Sequence, residues 1–209
     1  MIATVPSLRP AYPVRTARLL LRPLTAADTG ALAAYRSLPE VCRYVPFEPM
    51  SQAVITARLA GDWSRTALSA AGESLTLGAE LAATGQLIGD LVLFFTSAEH
   101  CGGEIGWVFH PGHGGRGYAT EAAHAMLHLA FGGLRLHRVV ARLDARNDAS
   151  ARLAARLGMR QEAYLVSNEW IKGEWTDEID CAVLADEWAA AHSAGLAGCR
   201  WPGAPGQRA

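Results

Sequence analysis

The stretch HPGHGGRGYATE, His110–Glu121, sets four glycines (Gly112, Gly114, Gly115 and Gly117) between a strand-like run, EIGWVF at Glu104–Phe109, and a helix-like run, ATEAAHAMLHLAF at Ala119–Phe131. Glycine lets a backbone turn tightly and approach a ligand closely, because it carries no Cβ to hold the ligand away. The first amides of the following helix have no carbonyl partner, and the helix dipole adds partial positive charge at that end. Strand, glycine loop and helix N-terminus together form a seat for a phosphate or pyrophosphate, to which Arg116 adds a full charge. The ligand this implies is a phosphate-bearing cofactor. A P-loop is excluded, since Gly117 is followed by Tyr118 and Ala119 where that loop requires Lys and Ser or Thr. The dinucleotide fingerprint is set aside because no strand–acid arrangement follows at the required distance.

The bulk composition narrows the class. A chain of 209 residues holds one domain with a substantial core. Half the residues are hydrophobic and 19% are charged, as in ordinary soluble globular proteins. A net charge of −1, with no dense Lys/Arg run, supplies no field for nucleic acid. The apolar runs fall short of a membrane span, and prolines and arginines interrupt the N-terminal segment where a signal peptide would need an apolar centre. Four cysteines, Cys42, Cys101, Cys181 and Cys199, form no CxxC pair. They read as reduced thiols in a cytoplasmic protein.

Taken in order, residues 1–15 read as an arm with little structure of its own. RLLLRPL, Arg18–Leu24, predicts a strand, with Pro23 favouring a position near a sheet edge. Thr25 starts a helix running to Ser37, with Asp28 as the acidic partner of a capping box. Residues 38–50 form a loop rich in proline and aromatics. Ser51 caps a second helix to about Ala70, with Ile55, Leu59 and Trp63 on one buried face. Glu73–Ala82 and Gln86–Phe95 predict two strands. After EIGWVF, the glycine loop and its helix, Gly132–Gly133 ends the helix. A strand at Leu136–Ala145, a short helix at Asn147–Leu157, and strands at Arg160–Glu169 and Glu174–Leu184 complete the pattern. Residues 16–188 form the domain, and Ala189–Ala209 reads as a short helical tail followed by disorder. Periodicity by itself yields an α/β domain.

Four segments in order carry a resemblance to the GNAT acetyltransferases. They are ARLLLRPLTAAD, the glycine loop, LHRVVARLDARNDASARLAARLGM and NEWIKGEWTDEIDCAVL. Gly114–Gly115–Arg116–Gly117–Tyr118–Ala119 resembles that family's pyrophosphate loop, [QR]-x-x-G-x-[GA], with Gly114 standing where Gln or Arg is usual. Within the family the chain looks most like the RimJ/RimL branch, which acetylates ribosomal-protein N-termini. The resemblance covers roughly Thr16–Leu184. It implies a mixed, mostly antiparallel sheet of about seven strands with helices on both faces, and acetyl-CoA (coenzyme A) as donor. It also implies an amine acceptor, either a protein N-terminus or a small molecule such as an antibiotic or polyamine, with direct transfer in a ternary complex. A homodimer is allowed.

The resemblance also assigns residues. The strand carrying Trp107, Val108 and Phe109 would offer a free backbone edge to the pantetheine arm, and an amide of Val108 or Phe109 would stabilise the oxyanion. His110, Gly114, Gly115, Arg116, Gly117, Tyr118, Ala119 and Thr120 would surround the cofactor's phosphates. Asn147 would hydrogen-bond near the pantetheine, although an Asn at a helix start also serves as a cap. Ser150 matches the RimL-type serine proposed to protonate the leaving thiolate, since Ala154 occupies the place of the tyrosine many relatives use. An amine arrives mostly protonated, so a base or water relay is needed. Glu169 and Glu104 compete for that role, with Glu169 preferred because it follows Ser150 at the RimL-type spacing. Tyr44, Phe47, Trp170 and Trp175 fall where the family shapes its acceptor pocket. His124 and His128 lie four apart on one helix, but the HExxH glutamate is missing. They read as surface histidines, and no metal is expected.

Overall fold

The computed structural model describes residues 7–192. Eight strands form one sheet: β1 (Val14–Arg15), β2 (Leu19–Pro23), β3 (Ser74–Leu81), β4 (Leu87–Ser97), β5 (Gly102–Phe109), β6 (Arg138–Asp144), β7 (Arg160–Ile171) and β8 (Glu174–Leu184). Their spatial order is β1-β2-β3-β4-β5-β6-β8-β7. Every neighbouring pair is antiparallel except β5 and β6. The helices are α1 (Thr29–Arg36), α2 (Pro39–Cys42), α3 (Gln52–Ala60), α4 (Tyr118–His128), α5 (Asp148–Arg156) and α6 (Ala185–His192).

Strand alternation sends successive side chains to opposite faces, and each face has its own apolar cluster. One gathers Leu19, Leu21, Leu77, Leu91 and Ile105 with Met126, Leu129, Leu153 and Leu157 from the α4 and α5 side. The other joins Leu87 and Val108 to Leu32, Tyr35, Ile55, Leu59 and Trp63 from the α1 and α3 side. The sheet is thus the middle of three layers.

Several boundaries differ from expectation. The segment before Thr16 is not a loose arm over its described part. Leu8 is buried and exchanges two backbone hydrogen bonds with Leu68 at 2.8 and 2.9 Å, and Val14–Arg15 adds a strand to the sheet edge. Burial of single apolar residues in partners sixty positions away has no periodicity to announce it. The α3 helix stops at Gly61, short of Ala70, and Trp63 lies in a following 3-10 turn. Thr25 and Asp28 form their predicted start, with the Thr25 amide 2.7 Å from the Asp28 carboxylate, but its first turn is 3-10 and α1 proper begins at Thr29. Of the tail, α6 extends to His192, and the disorder expected beyond it lies outside the described residues. Among the described residues no helix is long and apolar enough to cross a membrane.

The feature that positions the site is the parting of β5 from β6. They pair only through Gly102, Gly103 and Glu104, opposite Arg138, Val139 and Val140. Beyond Glu104, β5 stays on β4 to Phe109 while β6 stays on β8 to Asp144. A wedge opens between two strands that remain fully paired on their outer sides.

Candidate active site

One cavity of about 340 Å³ fills the wedge, and a second of about 340 Å³ lies at the glycine loop. Ile105–Phe109 leaves one backbone edge without a strand neighbour. The ladder to β4 continues to His110, whose amide donates to the Ile88 carbonyl at 2.8 Å. Antiparallel alternation therefore turns the Val108 amide toward β4 and the Trp107 and Phe109 amides toward the open edge. Of the two amides expected to face a ligand, Val108's is committed to the sheet.

The glycine loop divides in two. Its first half is bound to itself: His110 Nδ1 accepts from the Gly112 amide at 3.0 Å, and the Gly114 amide donates to the Pro111 carbonyl at 3.0 Å. Gly112, Gly114 and Gly117 do satisfy a G-x-G-x-x-G spacing, but the Gly112 half is spent on this 3-10 turn. In the second half, Gly115 and Gly117 have φ values of 72° and 78°, which L side chains rarely adopt. Among the described residues, the amides of Gly115, Arg116, Gly117, Tyr118, Ala119 and Thr120 have no acceptor within the chain; the first helical bond is from Glu121 to Gly117 at 3.0 Å. Six consecutive amides at a helix N-terminus form an anion seat. His113 Nδ1 is buried beside them without a partner, and burial first, then His110 and Arg116, hold its pKa below the usual histidine value. Arg156 of α5 lines this cavity and donates to the Thr120 hydroxyl at 3.2 Å. These features fit a pyrophosphate-bearing ligand. Glu121 does not face it. Its carboxylate is held by Thr16 Oγ1 at 2.6 Å and Arg18 Nε at 2.6 Å, tying the loop's helix to the turn before β2.

In the wedge, Trp107 and Ser150 meet: the indole Nε1 donates to the Ser150 hydroxyl oxygen at 3.1 Å. With that lone pair engaged, the Ser150 hydroxyl remains a donor. Asn147 is the N-cap of α5, its Oδ1 accepting from the Ser150 amide at 3.1 Å, which is the capping role allowed above. Both residues line the cavity, as do Glu104 and Glu169. Arg142 Nη1 lies 3.3 Å from Glu104 and its Nε 3.7 Å from Asp180. Burial raises the Glu104 pKa above the ordinary carboxylate value, and Arg142 opposes this.

Glu178, also in the wall, escaped the sequence reading. It is 8% exposed, and its pKa is pushed up to about 7 by burial and then by Glu169. The signal that could have found it is the alternation of β8, which puts Glu174, Glu178 and Asp180 on one face. Arg36 and Asp90 were missed as well. Their buried ion pair, joined by the Tyr35 hydroxyl at 2.5 Å from Asp90, closes the inner wall, and Arg36 also stacks over Phe47 and Trp63 at 5.0 and 4.6 Å. The hairpin turn between β7 and β8 reaches across to α2, where Lys172 Nζ donates to the Cys42 carbonyl. Tyr44 and Phe47 line the cavity. Trp170 and Trp175 do not. They pair edge-to-face at 5.5 Å on the opposite face of the hairpin and are about 60% exposed.

Among the described residues no group of histidine, cysteine or carboxylate side chains could hold a metal. His124 is half-buried rather than at the surface, whereas His128 is exposed as expected; both pack on Trp188, at 4.9 and 5.2 Å, with His192 stacked on the same indole at 3.9 Å.

Residues 18–160 match the family model described as "Acetyltransferase (GNAT) domain". The chain is 33% identical over 179 residues to the uncharacterised N-acetyltransferase YnaD of Bacillus subtilis (strain 168), covering 84% of this chain and 98% of YnaD. An acetyltransferase (GNAT family) from Bacillus anthracis superposes with a TM-score of 0.74 at 30% identity, over 82% of this chain and 98% of that one. The spermidine N-acetyltransferase of Vibrio cholerae, solved with CoA and spermine, superposes with a TM-score of 0.69 at 21% identity, over 83% of this chain and 99% of that one. This last is a likeness of fold.

Proposed function

Because the chain belongs to the GNAT acetyltransferases, we propose that it transfers an acetyl group from acetyl-CoA to a primary amine, directly and within a ternary complex. The observation that carries this reading is the continuity of two binding features: six unpaired amides at the glycine loop lead into an unpaired strand edge, and that edge runs into a cavity lined by carboxylates. Bound there, acetyl-CoA would supply an electrophilic thioester carbonyl and a thiolate leaving group.

The chain's own residues then divide the work. Loop amides from Gly115 to Thr120 and the Arg156 guanidinium bind the pyrophosphate. The open edge of β5 holds the pantetheine through backbone hydrogen bonds, and the Phe109 or Trp107 amide faces the developing oxyanion. Glu169 takes the amine's proton, and Ser150, held by Trp107, donates to the leaving sulfur. Arg142 engages Glu104, which leaves Glu169 the better acceptor. Among the described residues no cysteine lines the wedge, in keeping with direct transfer.

For the acceptor we favour a protein N-terminus of the RimJ/RimL type, on the Ser150–Glu169 spacing. The cluster Glu104, Glu169 and Glu178 favours a second reading, a small cationic amine drawn in by their field. Calorimetric titration with acetyl-CoA, followed by thiol release over N-terminal peptides, polyamines and amine antibiotics, tests both. Saturable binding with turnover of one class is the expected result. Binding without turnover of any amine would leave an acyl-CoA-binding module, and no binding would overturn the reading.

A further inference from the structure

The glutamate the sequence reading passed over has an unusual partner. Glu169 and Glu178 sit on adjacent strands and line the same cavity, and the charge of Glu169 adds to burial in raising the proton affinity of Glu178. A bulge in β7 between Leu165 and Glu169 makes this possible. Leu165 pairs with Glu178, whereas Glu169 pairs with Thr176, so residues 166–168 stand opposite Asp177 alone, two more than a regular ladder holds, and Glu169 sits diagonally over Glu178. The same bulge brings Asn168 Nδ2 to 3.2 Å from Glu178 Oε1, which fixes that oxygen as an acceptor. Two ionised carboxylates have no donor between them, so neighbouring carboxyl groups are joined by a hydrogen bond only when they share one proton.

We propose that Glu178 shares this proton with Glu169 and that the two act as one proton-accepting group, with Glu178 the positioning residue that sets Glu169's basicity. The proposal rests on the acetyl-transfer reading above. When the pair is fully ionised, the ammonium N–H bond breaks, the electron pair stays on nitrogen and the proton passes to a Glu169 oxygen. It is then held between the two carboxyls and is later lost to water. A lone exposed glutamate would be a weak base at neutral pH, whereas a partly buried pair that resists holding two charges is matched to the task.

The surrounding charges do not cancel this effect. From β8, Asp180 adds repulsion, and from β5, Glu104 is engaged by Arg142. Arg142 of β6 is the cation that opposes the raised affinity, but it divides itself between Glu104 and Asp180. From β4 and α1, Asp90 and Arg36 neutralise each other, and Asp144 is held by Arg146 at 2.7 Å.

The test compares wild type with E178Q, E178D and E169Q in two measurements. The first is the pH profile of kcat/KM for the best amine. Wild type should rise through a limb at about pH 7, E178Q should move that limb down by about one pH unit or more with a plateau lowered roughly tenfold, and E178D should keep the limb. CoA affinity should be unchanged in all three. A limb that stays in place in E178Q overturns the proposal. The second measurement does not need turnover: the protonated-carboxyl infrared band should titrate near neutrality in wild type and vanish in both E178Q and E169Q. Persistence of that band in E178Q also overturns the shared proton. A wild type that shows the band and binds CoA but acetylates no amine defeats the acetyl-transfer reading, and with it the catalytic role of a pair that nevertheless exists.

Discussion

The hydrogen bond from Trp107 Nε1 to Ser150 Oγ, at 3.1 Å, links the open strand to the helix facing it and makes Ser150 more than a helix-start residue. Removing the hydroxyl in S150A should lower kcat by roughly 10-fold to 100-fold while changing CoA affinity little, read from thiol release beside calorimetry. An unchanged kcat would return Ser150 to α5 as a plain first-turn residue. Gly117 carries a different kind of weight. At φ 78° it is in the left-handed region, and its amide is among those pointing at the anion seat. G117D adds backbone strain of about 1–3 kcal/mol and a negative charge at a phosphate site. CoA affinity should fall at least about 100-fold, with circular dichroism unchanged. Retained affinity would remove the loop from the binding site. Both residues were legible from local pattern. Glu178 was not, because its meaning depends on Glu169 across a bulge.

Among the elements, α6 docks on α4 through stacked rings. Trp188 is 4% exposed and sits between His124, His128 and His192. Burial, then His192 and His128, lowers the His124 pKa to about 4. A folded-state pKa below the unfolded value of about 6.5 means the unfolded chain binds more protons in between. The stability His124 contributes is therefore fully present above about pH 6.5 and is lost as pH falls toward about 4. Glu178, with a raised pKa, works in the opposite direction over an overlapping window, so the comparison must be with a variant. Urea midpoints at pH 7.5 and 5 should fall less in H124L than in wild type. Equal falls would show that the ring cluster titrates without penalty. The sequence placed His124 and His128 four apart on one helix, but only α6 shows what their rings pack against.

Across the whole molecule, a buried polar contact ties the α1 and α3 side to the sheet. Arg36 of α1 and Asp90 of β4 are 5% and 1% exposed, and Tyr35 completes the group. Replacing one member of a buried pair leaves the other charge unpaired, at a cost of about 3–5 kcal/mol. D90N should show a loss of that order in urea unfolding, whereas a substitution of the exposed Asp148 should cost far less. A loss below about 1 kcal/mol would mean that water reaches the pair. Because Asp90 pairs with Val108 across β4 and β5, this contact also steadies the strand that carries the open edge.

The sequence by itself determined the order of elements from β2 to β8 apart from the short α2, which falls where a loop was expected, together with the glycine loop and the strand before it. Glycine at positive φ, capping residues and hydrophobic period all act over a few neighbours, so they are written locally. It also placed Ser150, Asn147, Glu104 and Glu169 on elements that the fold brings to one cavity. Tertiary structure alone decided that Leu8 and Val14 join the core, that Trp170 and Trp175 face away from the cavity, and that Val108's amide is spent on β4. It alone paired Glu178 with Glu169. The physical reason is common to all four: alternation assigns a residue to one of two faces, but which face is wet, buried or opposite a charge depends on strand register and on chain segments far away in sequence.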